Sequence, residues 1–340
     1  MKSLVRPEAL TVAAERKPEP ADEGGEYLKV WHEKESLNGT PCDAFVIILR
    51  TSGCYWAHTR GCTMCGYARE TLGREATEDE ILSQVAKAMT HYRDEPYVKI
   101  YTSGSFLDPH EVPPAARLRV AKAFSGRARR LLFESLPEFV TPEAIDGVRK
   151  GFEGELEVAL GLETTQDDVL QKAVTKVSTV EEYLGAARRL RDLQVLGKAY
   201  LLLKPPFLTE RQAIEDTVLS IGKAKDLFQT ISVNPVHIQG GTLVERLWRR
   251  ELYRPPWLWS LREVLLRGKE SVGDAVRLVS FPTSGGNPRG VHNCLTCDGR
   301  VLRAIERATL TQDFEPLRKV AECTCIERWR WENSLEYLAP

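Results

Sequence analysis

The chain has 340 residues, with 47 Lys and Arg against 48 Asp and Glu, and is 42% hydrophobic and 8% aromatic. A chain of this length buries roughly three-quarters of the surface its unfolded form exposes, which excludes global disorder and allows one large domain or two ordinary ones. The apolar run Ala44 to Leu49 falls far short of the roughly 18 residues a bilayer crossing needs, and charges interrupt the first thirty residues, so neither a membrane span nor a secretory signal is read and the expected compartment is the cytoplasm.

Residues 1–26 carry several Pro and Glu without apolar periodicity and read as a mobile arm. From Ala44 the run AFVIIL has the length and flanks of a buried strand, and it leads into a cysteine-bearing loop, Gly53 to Gly66. Thr77, with Glu80 three residues on, forms a capping-box pair ahead of an amphipathic helix, TEDEILSQVAKAMTHY. Strands follow at 97–104, 130–135, 156–163, 197–204 and 230–234. Between them, helices are expected near 114–126, after Thr141 with Pro142 at the first helical position, around 166–174, from Thr179 to Leu193, and after Thr209. Strands alternating with helices this regularly are parallel and joined by right-handed crossovers, so six such units predict an α/β fold, a partial (β/α)6 barrel over residues 27–240. Chemistry in such folds sits at the C-terminal ends of the strands, where the first cysteine loop lies. Beyond Gly241 the composition shifts towards Arg and Trp, as in RLWRRELYRPPWLW, and residues 241–340 are expected to form a smaller C-terminal module.

Eight cysteines stand at 42, 54, 62, 65, 294, 297, 323 and 325. In a chain expected to keep its thiols reduced, tight clusters are read as metal ligands before disulfides. The first cluster, GCYWAHTRGCTMCGY, puts Cys54, Cys62 and Cys65 in one loop. Three thiolates leave one coordination position open, as catalysis requires, whereas a structural site takes four protein ligands. His58 can complete a zinc site there; the competing reading is a four-iron cluster with one iron unligated by protein. Cys294 with Cys297 and Cys323 with Cys325 form two close pairs, 25 residues apart. Four thiolates in two pairs are the signature of structural zinc in a module too small for its own core, with an auxiliary iron–sulfur cluster as the alternative. His292 beside them is either a supporting group or surface, and Cys42, alone, reads as a small buried residue.

Three cysteines after the first strand of a partial barrel, the last two as C-x2-C followed by Gly-Tyr, resemble the radical S-adenosylmethionine (SAM) enzymes. The seven residues between Cys54 and Cys62 are more than that superfamily's commonest spacing and resemble its tRNA-modifying branch related to the Elongator catalytic subunit. Within that branch, DAFVIILRTSGC, YTSGSFLD, LLFESLPEFVTPE, LGLETTQDDV, LLLKPPFLT, SVNPVHIQGGTLVE, YRPPWLWS and HNCLTCD are similar to the RaSEA family, the radical SAM subunits of archaeosine synthase. The resemblance implies a [4Fe-4S] cluster on Cys54, Cys62 and Cys65, with SAM chelating the fourth iron. An electron passed into the sulfonium then releases a deoxyadenosyl radical that abstracts hydrogen. It further implies Met64 at the adenine position, although a methionine is equally core filler. Ser103, Gly104 and Ser105 would receive the SAM amino group, against the reading of an ordinary strand-ending turn. Glu134, Ser135 and Glu163 would meet the ribose or methionyl amine, and Lys204 and Asn234 would face substrate; a solvated strand end is the alternative for each.

As substrate and partner, the resemblance implies archaeal tRNA carrying a lysine–deazaguanine adduct in its D-loop and the alpha subunit ArcS. Cleavage of the lysine carbon–nitrogen bond would leave the formamidine of archaeosine. Another Elongator-related tRNA modifier, and a non-catalytic adaptor with zinc at both clusters, are the competing functions. Residues 240–340 hold 16 Lys and Arg against 13 Asp and Glu, a small excess of the sign a nucleic-acid surface needs. Arg249, Arg250, Arg254, Trp257 and Trp259, with Arg328, Trp329, Arg330 and Trp331, interleave guanidinium and indole groups as RNA contacts do.

Overall fold

Each apolar block followed by an amphipathic block becomes a strand and a helix. The computed structural model describes residue 27 and residues 29–335, so the arm expected over residues 1–26 lies outside the described residues. Strands β2 (Thr40–Ile48), β3 (Tyr97–Tyr101), β4 (Arg130–Ser135), β5 (Glu155–Glu163), β6 (Leu196–Leu203) and β7 (Thr230–Pro235) pair in parallel, each with the next. Helices α1 (Glu78–Met89), α2 (Pro114–Phe124), α3 (Pro142–Arg149), α4 (Asp167–Val169, running into a wide π turn over Leu170–Val174), α5 (Val180–Asp192) and α6 (Glu210–Ala224) make the crossovers. Thr77, Thr179 and Thr209 each close a reciprocal capping box at a helix start, and Thr141 caps α3 with Pro142 in its first turn.

The sheet runs further than the six expected strands. β1 (Lys29–Leu37) adds antiparallel to β2 at one edge, and β8 (Arg277–Val279) adds parallel to β7 at the other, giving the order β1 to β8. The alternation thus continues past Gly241 through α7 (Leu243–Arg249) and α8 (Leu258–Val272) into β8. Only then come the elements around the second cysteine cluster, α9 (Asp298–Thr311), α10 (Glu315–Arg318) and α11 (Cys325–Ser334). Among the described residues no helix is long and apolar enough to cross a membrane.

Alternation along the strands sorts residues to two faces. Phe45, Ile47, Val98, Ile100, Leu131, Phe133, Val158, Leu160, Leu201, Ile231 and Val233 point outward and form one core with the helices. Inward, Ala44, Tyr97, Leu132 and Ala159 form a small cluster joined by Cys42, Tyr101 and Tyr200. The rest of the lumen is charged. Lys99, buried on β3, donates to Glu33 at 2.6 Å and to the wholly buried Glu35, both on β1. Arg277 of β8 donates to the same Glu35, so the two edges of an open sheet share one carboxylate. Tyr97 donates to Glu157, and Arg130 bonds Glu155 at 2.8 Å. Burial opposes ionisation of Glu35, but Lys99, Lys198 and Arg277 outweigh it and hold the carboxyl well below the usual carboxylate range.

A buried ion pair that loses one partner leaves an uncompensated charge, which costs about 3–5 kcal/mol, whereas an exposed pair contributes about 0–1 kcal/mol. Lys99→Met is therefore expected to lower the unfolding free energy by about 3–5 kcal/mol in denaturant titration. Lys34→Met, which removes the exposed 2.6 Å pair with Asp43, should change it by less than about 1 kcal/mol.

Candidate active site and metal centre

The loop after β2 carries Cys54, Cys62 and Cys65 over the C-terminal mouth of the barrel and is fastened on every side. Trp56 donates its indole N–H to the Thr175 carbonyl at 2.8 Å, and Thr175 returns its hydroxyl to the Gly61 carbonyl at 2.8 Å. Thr63, buried, donates its hydroxyl to the Ala173 carbonyl at 2.6 Å, and its carbonyl accepts the Val244 amide at 3.2 Å. The Gly66 amide, next to Cys65, is held by the side-chain carbonyl of Gln239. On the other flank the Glu111 carboxylate accepts the Thr51 hydroxyl at 2.6 Å and the Ser105 amide, tying the cysteine loop to the turn after β3. Gly104 in that turn is pressed against Cys54: a Cβ there would stand 2.6 Å from the Cys54 Cα and 2.8 Å from its amide nitrogen. Glycine is required by that approach.

Under this loop the strand ends deliver carboxylates. Glu134, at the end of β4, is half-buried, and its carboxylate has no hydrogen-bond or ion-pair partner among the described residues. Burial, reinforced by Glu111, pushes its carboxyl up to about 8; burial also lifts Glu111 to about 7, against hydrogen bonds from Thr51 and Ser105. Glu163, at the end of β5, pairs with Lys176 at 3.1 Å. Burial disfavours the Lys176 charge, but Tyr183, Glu163 and Cys62 overcome it and keep the amine well above its usual range. Glu163, Thr175 and Lys204 all hold left-handed backbone near φ 63°, a conformation non-glycine residues keep only where their surroundings impose it. Burial raises all three thiols, Cys65 to about 11.

The other expected site residues fall as follows. Met64 packs with the apolar cluster of Val174, Leu202, Val236, Ile238, Val244 and Tyr253. Ser135 is buried, bonds Ser105 at 3.0 Å, and donates to the Leu136 carbonyl. Ser103 lies beside Gly104 at the mouth. Asn234 accepts from Ser232 at 3.0 Å. Lys204 makes a 2.5 Å pair with buried Glu210. His58 is exposed and bonds the Ser52 carbonyl at 2.9 Å, and Cys42 lines the opposite end of the lumen. Lys176, Glu111 and Gln239 had no sequence signal beyond lying in loops that follow strands.

The second cluster has a different geometry. Cys294, Cys297, Cys323 and Cys325 bring their sulfurs within 4.8 Å of one another, at 3.7 Å for 294–297 and 3.8 Å for 294–323 and 297–325. Four thiolates bound at about 2.3 Å to one tetrahedral ion stand about 3.8 Å apart, so this set fits a single ion. Cys54, Cys62 and Cys65 are not gathered that tightly; among the described residues the four-thiol set is the group close enough for one ion. Asn293 and Trp259 donate N–H to the sulfurs of Cys297 and Cys325, each at 3.4 Å, which orients the ligands. His292 turns to the Gly290 carbonyl at 2.7 Å.

The Arg and Trp stripe divides: Arg254, Trp257, Trp259 and Trp329 are drawn into packing, while Arg249, Arg250, Arg328, Arg330 and Trp331 stay exposed. Trp257 and Trp259 are buried, Arg254 stacks 3.8 Å above the Trp257 ring and bonds the His292 carbonyl, and Trp329 donates to Ser260. Arg328 and Arg330 pair with Glu332, Glu322 and Glu327. Packing the metal module on α6 and α8 needs large flat side chains, and those indoles supply them.

No protein-family model matches the chain. It is 37% identical over 319 residues to archaeosine synthase subunit beta of Methanosarcina acetivorans, covering 92% of this chain and 91% of that one. It is likewise 37% identical over 318 residues to the subunit beta of Thermococcus kodakarensis, covering 91% and 98%. The chain belongs to the archaeosine synthase subunit beta family. Solved structures similar to this family member include archaeal Elp3 of Methanocaldococcus infernus with an N-terminal deletion, at TM-score 0.47 and 14% identity over 63% of this chain and 55% of that one. Queuine lyase from Clostridium spiroforme, bound to SAM and queuine, aligns at TM-score 0.46 and 17% identity over 62% and 81%.

Cys297→Ser removes one corner of the tetrahedral set and buries an unmatched hydroxyl. It is expected to release one equivalent of bound metal, read by elemental analysis, and to cost more than about 4 kcal/mol of stability. Cys62→Ser should leave that equivalent in place.

Proposed function

We propose that the chain is the radical SAM component of archaeosine synthesis. It would cleave the lysine carbon–nitrogen bond of a lysine–deazaguanine adduct in the D-loop of archaeal tRNA, leaving the formamidine, and act with the alpha subunit ArcS. The carrying observation is the contrast between two thiol sets in a member of this family: four gathered for a single ion, and three set wider at the barrel mouth beside an unpartnered carboxylate. A mononuclear zinc at the first set is disfavoured by that spacing and by His58 facing away, which weighs against the two-zinc adaptor.

Cys54, Cys62 and Cys65 would hold three irons of a [4Fe-4S] cluster. With SAM chelated to its open iron, this group supplies one-electron cleavage of the sulfonium and a primary radical for hydrogen abstraction. The residues of the chain do the rest. Gly104, by lacking a side chain, lets the turn after β3 lie against the Cys54 backbone, so the Ser103 to Ser105 edge can meet an amino group there. Glu111 and Gln239 fix the two ends of the cysteine loop from outside the coordination shell. Glu134, without a partner of its own, is free to accept from an ammonium or ribose hydroxyl, and Glu163 with Lys176 adds a fixed pair of opposite charges beside Cys62. Tyr101 and Tyr200, 3.3 Å apart across the lumen, floor the site and separate it from the charged chamber below. Zinc is the assignment the sulfur spacing supports at Cys294, Cys297, Cys323 and Cys325.

EPR of the anaerobically reconstituted, reduced chain is expected to give a four-iron signal that shifts when SAM is added. Cys62→Ala should lose that signal and all release of deoxyadenosine while keeping its zinc. A colourless protein with zinc at both sets and no response to SAM would sink the reading. Gly104→Ala, which forces the turn off Cys54, is expected to fold and to slow SAM cleavage by about a hundredfold.

A further inference from the structure

Trp257 and Trp259 are spent in packing, and Arg328 and Arg330 are paired with glutamates, so of the C-terminal Arg and Trp stripe the cations left for a polyanion lie at Arg249 and Arg250. Unpaired cations gather at the rim formed by α7 and the cysteine loop. Glu245, on α7, accepts Arg249 at 3.1 Å, Arg289 at 2.9 Å and the Gly241 amide at 2.7 Å. The Arg69 guanidinium lies over the same turn, 2.7 Å from where a Cβ of Gly241 would stand. Two guanidiniums therefore share a single carboxylate, with a third beside the turn that it caps. Arg246 and Arg250, one turn apart on the exposed side of α7, carry two more. The guanidiniums of Arg69, Arg246 and Arg250 have no hydrogen-bond or ion-pair partner among the described residues. Glu70 and Glu251 stand beside the cluster in sequence, so five arginines face three carboxylates and the patch keeps an excess of two positive charges.

Its position matters as much as its charge. α7 is bonded to the cysteine loop through the Val244 amide and the Thr63 carbonyl at 3.2 Å, and Arg69 lies in the short helical turn Tyr67–Glu70 that directly follows that loop. Tyr67, two residues before Arg69, is 46% exposed, so an aromatic face stands beside that cation. Guanidiniums that contact phosphate oxygens, next to exposed rings that can stack on splayed bases, are the pattern of RNA recognition at a loop.

We infer that Arg69, Arg246 and Arg250, braced by the Glu245–Arg249–Arg289 cluster, form the phosphate-contact surface by which this chain holds RNA with one nucleotide presented to the barrel mouth. The inference rests on the proposed tRNA substrate and adds which residues bear its backbone. A phosphate contact adds a fixed increment to the salt dependence of binding, whatever the sequence bound.

The test is binding of an unmodified tRNA transcript to the full chain by fluorescence anisotropy between about 50 and 200 mM salt. Arg69→Ala, Arg246→Ala and Arg250→Ala together are expected to weaken binding at least about tenfold and to reduce the slope of log affinity against log salt by roughly 2–3. Arg328→Ala with Arg330→Ala should leave both unchanged. If the triple variant fails to fold, Arg246→Glu, at an exposed position without a partner, is read instead and should weaken binding severalfold. Unchanged affinity and slope in these variants, loss of binding on changing Arg328 and Arg330, or a parent chain with no salt-dependent tRNA binding would each overturn the inference. Iron content and RNA-independent SAM cleavage, measured on the same preparations, should match the parent; their absence from the parent would fail the radical reading, not the surface.

Discussion

One carboxylate governs the shape of this molecule. An eight-stranded sheet whose end strands do not pair has no backbone reason to curl to a particular depth, yet everything at its mouth depends on that depth. Glu35 accepts from β3 and from β8 while standing on β1, and its burial makes any looser arrangement expensive. The lumen is thus organised by charge where a closed barrel would be organised by strand pairing. Above the Tyr101 and Tyr200 floor the same inward positions of β4 and β5 carry Glu134 and Glu163, so one alternation of side chains sets both the frame and the site.

The two thiol sets show how much spacing in three dimensions adds to spacing in sequence. Both sets are short-range motifs, and both invite a metal. Only the fold separates them: the second is drawn together by α9 beginning directly after Cys297 and α11 beginning at Cys325, while the first is spread along a loop tethered to Ala173, Thr175, Gln239 and Val244. Support for the first set comes from residues far along the chain, which is how a loop can be held at fixed geometry without regular structure of its own.

Legibility followed the physics of each element. Strands β2 to β7 were readable because their outward faces are runs of Val, Ile, Leu and Phe, and the helices between them because Thr77, Thr141, Thr179 and Thr209 announce their starts. β1 was not, since KVWHEKESL puts Glu33 and Glu35 inward and reads as a polar surface segment. β8 has only three residues and no apolar run to notice. In the site, the cysteines and strand-ending carboxylates were visible from residue type and position. Lys176, Glu111 and Gln239 were not, because what matters about them is the partner they reach. Two of the expected RNA contacts fail for the same cause: Trp257 and Trp259 look like stacking residues in sequence, and only packing shows that their rings are spent inside the protein.

The clasp between β1 and β8 also fixes an order of events at birth. Its two partners lie 242 residues apart, and the strand that bears Arg277 is held from outside by α9, where Gln312 bonds both the amide and carbonyl of Leu278 and Thr309 bonds Ser280. A nascent chain emerges N-terminus first, so the six central strands can assemble while the seam is still open and Glu35 still lacks its second cation. Closure therefore waits for the last quarter of the chain, so the seam of the sheet is the last part of the frame to form.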